Sequence, residues 1–292
     1  ERQVRSLSIL KARLKEAFTV GSKARMKIGV VAISDERPAI HDQDEQHNRD
    51  YLYLIKTVLD ARVDEAGENL EFVVEDRIIN SMELAVSSAK RMRAEDVAGV
   101  VMCHHMWTFA REAAMFARVY GGPVAGYTNK DPLRPALVGL LCSGGTLDKM
   151  GVYHPRIIGD INRKDVQDEF LSWARAAGTV SSLLGETYCN FGGRSMGMGT
   201  AVRDANEWIK RYGVDVEQVD QVVLLERAQK VDSGLVDHAF SWLRENVGHV
   251  DPTVPEEKIK NQIRLYEATK EICREKGIDF YGVKCQPELS EI

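Results

Sequence analysis

The run Lys27-Ile28-Gly29-Val30-Val31-Ala32-Ile33, followed at once by Ser34-Asp35-Glu36-Arg37-Pro38, decides the class of fold. It is short, almost continuously apolar and rich in β-branched residues, and a polar turn ends it. That is the pattern of a strand covered on both faces. The pattern recurs at Leu70–Glu75, Val97–Met102 and Pro123–Tyr127. Between these runs, Asn48–Ala61, Ser81–Arg93 and Thr108–Tyr120 carry apolar residues at helical spacing. Ser81 and Thr108 are predicted N-caps, with Glu83 and Glu112 early in the turns that follow. Alternation of strands and helices predicts an α/β protein whose mainly parallel sheets are doubly wound, Rossmann-like or flavodoxin-like.

Working outward, residues 1–25 are basic and helix-prone and form a predicted arm or extension. The first domain is predicted over 26–162, with Arg156–Asp160 as its closing strand. The pattern then restarts with a helix over Lys164–Leu184, a strand at Thr187–Phe191, a glycine-rich turn and a helix over Thr200–Arg211. A strand near Val214–Val219, helices over Gln221–Gln229, Gly234–Asn246 and Pro255–Lys276, and a strand at Asp279–Val283 complete a second predicted domain, 163–292. A chain of 292 residues is long for one core and comfortable for two.

Composition excludes several classes of function. Lys+Arg 39 against Asp+Glu 44 gives a net charge of -5, so neither nucleic acid nor an anionic membrane surface is an expected partner. No apolar run approaches the roughly 20 residues that cross a bilayer, and Glu1–Arg5 does not read as a secretory signal. Cys103, Cys142, Cys189, Cys273 and Cys285 form no C-x-x-C pair. Buried, reduced thiols in a cytoplasmic protein are expected.

Ligands of open α/β sheets sit beyond the carboxyl ends of the strands, so the residues after each strand are the ones to weigh. Arg37 follows the first strand; its guanidinium is either a planar fork of donors for a ligand's oxygens or a solvated loop charge. His104, His105 and Trp107 follow the third. Adjacent histidines point to opposite faces of an extended chain, which argues against a metal site and predicts one ring in the crevice, His105, and the other packed. Trp107 either stacks on the C–H face of a sugar or caps the next helix; the residues leave both open. Asn129 follows the fourth strand. In the second domain, Phe191-Gly192-Gly193-Arg194-Ser195-Met196-Gly197-Met198-Gly199-Thr200 lies between strand and helix. It matches no phosphate-binding loop, although Gly193–Gly197 has the outline of a hydrolase elbow around Ser195. Hydrolysis is the lesser alternative, because no acid and histidine follow in a suitable larger sheet. Cys285-Gln286-Pro287-Glu288 leaves the last strand, and Arg194, Ser195 and Glu288 join His105 and Asn129 as crevice candidates.

Taken in order, these strand-end motifs resemble the L-fucose isomerase family and its arabinose isomerase relatives. Ile33-Ser34-Asp35-Glu36-Arg37 resembles the family's first strand end, and Cys103-His104-His105-Met106-Trp107 its central one. Gly192-Gly193-Arg194-Ser195-Met196-Gly197 resembles its G-G-x-S-M-G turn, and Cys285-Gln286-Pro287-Glu288-Leu289 its glutamine loop. The resemblance implies a cytoplasmic aldose–ketose isomerase acting on a small sugar, a deoxy-hexose or pentose, with a manganese ion and carboxylates moving a proton between C1 and C2. It implies substrate binding by Arg37, Trp107 and Gln286, the first two reaching a neighbouring subunit of a hexamer. It also implies that the metal ligands and catalytic carboxylates lie beyond residue 292. This chain is then the first two of three domains, a split subunit served by a partner chain, or a non-catalytic relative that binds sugar as a sensor.

Overall fold

The structure, a computed structural model, describes residues 25–247, 251, 253–286 and 289; the predicted arm lies outside them apart from Arg25. Two compact units divide the chain, one ending at Ser182 and the other beginning at Leu183. In the first, β1 (Met26–Ala32), β2 (Leu70–Val74), β3 (Gly99–Cys103), β4 (Val124–Thr128) and β5 (Arg156–Ile158) form a sheet of order β2-β1-β3-β4-β5. Every neighbouring pair is parallel. That is the flavodoxin-like version of the doubly wound sheet, and its strand order reverses between β1 and β3.

Period-two alternation along β1 distributes the core. Ile28, Val30 and Ala32 face one side, with α1 (Pro38–Ala66) and α5 (Lys164–Leu183) packed over them through Leu52, Ile55, Leu59, Phe170, Leu171 and Ala174. Val31 and Ile33 face the other, under α2 (Met82–Ala94), α3 (Ala110–Tyr120) and α4 (Ala136–Lys149), through Ala85, Met92, Phe116 and Leu147. Glycine is required where α5 meets the sheet: a Cβ on Gly99 would lie 2.7 Å from that of Ala177, and one on Gly178 would strike the Met26 side chain.

Three expectations are corrected. The division falls after residue 182, not 162, because α5 buries its apolar face on the first sheet instead of opening the second unit. Helix α1 starts at Pro38, ten residues before the expected start at Asn48. Its first turns bury no apolar side chain, so hydrophobic spacing could not reveal them. Pro38 in the first turn starts the helix and Gly67, at φ 64, ends it. Thr108 does not cap α3: the N-cap is Phe109, without a side-chain bond, whereas Ser81 caps α2 by accepting from the Leu84 N–H. Helix α4 was not anticipated at all.

The second unit is a three-stranded parallel sheet, β7-β6-β8, built from β6 (Thr187–Phe191), β7 (Asp215–Val219) and β8 (Phe280–Val283). Its core gathers Cys189, Phe191, Val219, Leu224, Leu265, Ala268 and Ile272, the last three from α9 (Glu256–Lys276) and Leu224 from α7 (Gln221–Ala228). A 3-10 turn at Gly199–Ala201 precedes α6 (Ala205–Tyr212), which Asp204 caps; α8 (Ser233–Asn246) follows α7. Among the described residues no helix is long and apolar enough to cross a membrane. All five cysteines are free, as expected, yet Cys142 and Cys285 are exposed and Cys273 only half-buried.

The placement of α5 has a direct test. Phe170, fully buried against Tyr127, belongs to the first core, so Phe170→Ala should lower the first unit's unfolding free energy by about 3–5 kcal/mol in urea. A chain cut after residue 182 should unfold cooperatively, and one cut after 162 should not.

Candidate functional site

The reversal of strand order places the loops that leave β1 and β3 on either side of one crevice position. From β1 come Ser34 and Asp35, both buried, and Arg37. The Asp35 carboxylate is held in a fork: the Arg37 backbone N–H donates to Oδ1 at 2.8 Å, Nε to Oδ1 at 2.9 Å and Nη2 to Oδ2 at 2.6 Å. The Arg37 guanidinium therefore holds the Asp35 carboxyl below its ordinary range, against the opposing effect of burial. The Arg37 side chain is 56% exposed, and its guanidinium lies over the Phe109 ring, 5.9 Å from its centre.

From β3 comes the loop that carries Trp107. His104 is buried and its Nδ1 lies 2.9 Å from the Thr108 hydroxyl. Met106 turns inward, its sulfur accepting from the Ser34 hydroxyl at 3.2 Å and from the Asn48 amide at 3.3 Å. These anchors leave Trp107 half-buried, edge-on to Phe109 with ring centres 6.2 Å apart. Arg37 and Trp107 thus each meet one residue, Phe109. Residue spacing gave no sign of this, because Phe109 reads only as the approach to a helix.

His105 departs from its expected place. It is fully buried in a row of rings, 4.8 Å from Tyr51 and 5.8 Å from Tyr127, and Tyr51 in turn lies 4.8 Å from His47. Neither ring nitrogen has a hydrogen-bond partner among the described residues. Asn129, half-buried, sits close enough to favour the protonated ring, but its Oδ1 is also unpartnered. Burial pushes both His104 and His105 down to about 3, so both rings are neutral. The loop after β4 is tied to α1 by Arg134, which bonds Asp44 at 2.8 Å and Asp131 at 2.9 Å. Asp44, His47, Tyr51 and Phe109 escaped sequence reasoning because they stand away from the strand ends.

In the second unit, the turn after β6 and the segment after β8 meet. The Lys284 N–H donates to Phe191 O at 2.8 Å, and Gln221 Nε2 donates to Lys284 O. Ser195 donates to Gln286 O at 3.2 Å, and Gln286 itself is exposed. Gly192, at φ 91, is needed for this approach, because a Cβ there would lie 3.0 Å from that of Lys284. Arg194 curls onto its own turn, bonding the Met198 and Gly197 carbonyls. The left-handed non-glycine residue of the turn is Met196, not Ser195. A hydrolase elbow puts that strain on its nucleophile, so the elbow reading is not favoured. Glu288 lies outside the described residues. Among those described, no group of three or more His, Cys, Asp or Glu could hold a metal ion.

The model of a family described as "L-fucose isomerase, first N-terminal domain" matches residues 25–185, more than half of the chain and close to the first unit's extent. The L-fucose isomerases of Escherichia coli O6:H1 and of Escherichia coli K12 / DH10B are each 24% identical to it over 261 residues, covering 85% of this chain. The chain spans 43% of the length of these relatives.

The neutral histidines set a pH dependence. Unfolding exposes rings that protonate below about 6.5 while the folded rings stay neutral, so stability is lost as pH falls from about 6.5 toward 3. Each histidine contributes up to about 1.4 kcal/mol per pH unit in that window. Urea midpoints at pH 7 and pH 5 should show the loss, and His105→Phe should reduce it.

Proposed function

Because the chain belongs to the L-fucose isomerase family, carrying its first N-terminal domain, we propose that it is the sugar-holding part of an aldose–ketose isomerase. Arg37 and Trp107 are the contacts proposed for the first unit, toward a neighbouring subunit's sugar as the resemblance implies, and Gln286 is the contact proposed for the second. The observation that carries this reading is the arrangement around Phe109. A half-buried indole offers its face to the C–H side of a sugar, and beside it a guanidinium, steadied by Asp35, offers donors to hydroxyls. An uncharged polyol needs that pairing of apolar face and fixed donors, and no net local charge.

Manganese, implied by the resemblance for the enzyme, has no ligand set among the described residues. The role proposed for this chain is therefore binding and orientation, with proton transfer between C1 and C2 assigned to carboxylates in another part of the enzyme. A cytoplasmic location, and assembly as a hexamer or with a chain carrying the catalytic region, are proposed on the resemblance alone.

Calorimetric titration with L-fucose tests the reading. Arg37→Ala should weaken binding about tenfold to a hundredfold, the worth of one charge-assisted hydrogen bond, and Trp107→Leu should do likewise. Ser195→Ala should leave affinity unchanged. Ketose formation should be absent from this chain and appear when it is joined to the catalytic region of a relative. Tight sugar binding with no turnover in any such combination would favour the sensor.

A further inference from the structure

The sheet of the second unit ends level across its three strands: Val219 of β7 and Val283 of β8 both pair with Phe191 of β6. Two backbone bonds close the ladder there, Gly192 N–H to Val219 O at 2.9 Å and Lys284 N–H to Phe191 O at 2.8 Å. Past that row the central strand turns away through Gly192, at φ 91. Strands β7 and β8 are not neighbours in the sheet, so the ladder itself cannot join their exits.

One side chain spans that gap. Gln221, the first residue of α7, starts from the β7 side, and its Nε2 donates to Lys284 O on the β8 side, 63 residues along the chain. It crosses over Gly192, where a Cβ would lie 3.2 Å from both its Cδ and its Oε1. Gln221 is buried, only 8% exposed, and its Oε1 has no partner among the described residues. A buried amide with one end unpartnered is less favourable than an apolar side chain of the same shape, so its donor accounts for its presence. The bare glycine beneath it serves the same contact. Another side-chain bond to this segment, Ser195 Oγ to Gln286 O at 3.2 Å, is exposed, and water competes for it.

We propose that Gln221 is a positioning residue: it fixes the segment after β8 and so sets where Gln286 presents its amide. Lys284 is held on both sides, its N–H by β6 and its C=O by α7. Gln286 is exposed, so the direction of its amide is inherited from the backbone two residues upstream. Only glutamine among the neutral side chains combines a donor with this reach, since asparagine falls one methylene short. The consequence for sugar rests on the function proposed above; the tie itself does not.

Amide exchange and calorimetry on the full chain test the two parts separately. Gln221→Met keeps the length and loses the donor, and Gln221→Asn keeps the amide without the reach. In both, the Lys284 amide should exchange about tenfold faster, the worth of one buried hydrogen bond. The Cys189 amide, in the middle of β6, should exchange as in the wild type. Affinity for L-fucose should fall about threefold to tenfold in Gln286→Leu and by a similar factor in Gln221→Met. The double variant should lose no more than either alone, whereas a merely structural loss at Gln221 would add to that at Gln286. Unchanged Lys284 exchange, full affinity in Gln221→Met beside a weakened Gln286→Leu, or additive losses would each overturn the proposal. Full affinity in Gln286→Leu would overturn the sugar contact instead, and Lys284 exchange would still decide whether Gln221 fixes the segment.

Discussion

Reversal of strand order between β1 and β3 is the constraint on which the rest depends. All strands of the first sheet run parallel, so every strand exits at the same edge. Crossovers on one face fill the space beyond β3, and those on the other fill the space beyond β1. Only where the order turns do two exit loops diverge and leave room between them. The register holds them level, since Ala32 pairs with Cys103 and each strand then ends within a few residues of its neighbour. Arg37 and Trp107 owe their shared neighbour, Phe109, to this and not to any direct bond.

Buried polar groups then fix the loops. Asp35 cannot remain buried as an unpaired carboxylate, and the Arg37 fork satisfies it. The same device recurs at the end of β2, where buried Glu75 takes the Arg77 backbone N–H and guanidinium and also Arg91. A carboxylate–arginine fork is thus a way of finishing a strand in this fold, and by itself it points to no ligand. What separates Arg37 is its position over the ring of Phe109, which Trp107 also meets edge-on. The β3 loop follows the same logic with neutral groups: His104 on Thr108, and the Met106 sulfur between Ser34 and Asn48.

The strands and the fold class were legible because burial on both faces writes itself as short β-branched runs; the Thr187–Phe191 strand agrees to the residue. The start of α1 was hidden because polar contacts, not apolar spacing, hold it: Asn48 to Met106, Arg134 to Asp44 and His41 to Ser34. Helix α4 was hidden for the opposite reason, being apolar on both sides and so without periodicity. The boundary was misplaced because amphipathic spacing in α5 marks a buried face without saying which sheet buries it. Arg37 and Trp107 were legible as strand-end residues. The burial of His105 and the part played by Phe109 depend on the packing of α1 and α3 around the sheet edge, which no spacing records.

The central claim is that a sugar's C–H face rests on Trp107 beside Arg37. Saturation-transfer NMR with L-fucose tests it most directly. Saturating the aromatic protons should transfer magnetisation to the sugar's ring protons in the wild type, and Trp107→Leu should abolish the transfer while leaving the rest of the spectrum native. Equal transfer in the two proteins would contradict the account.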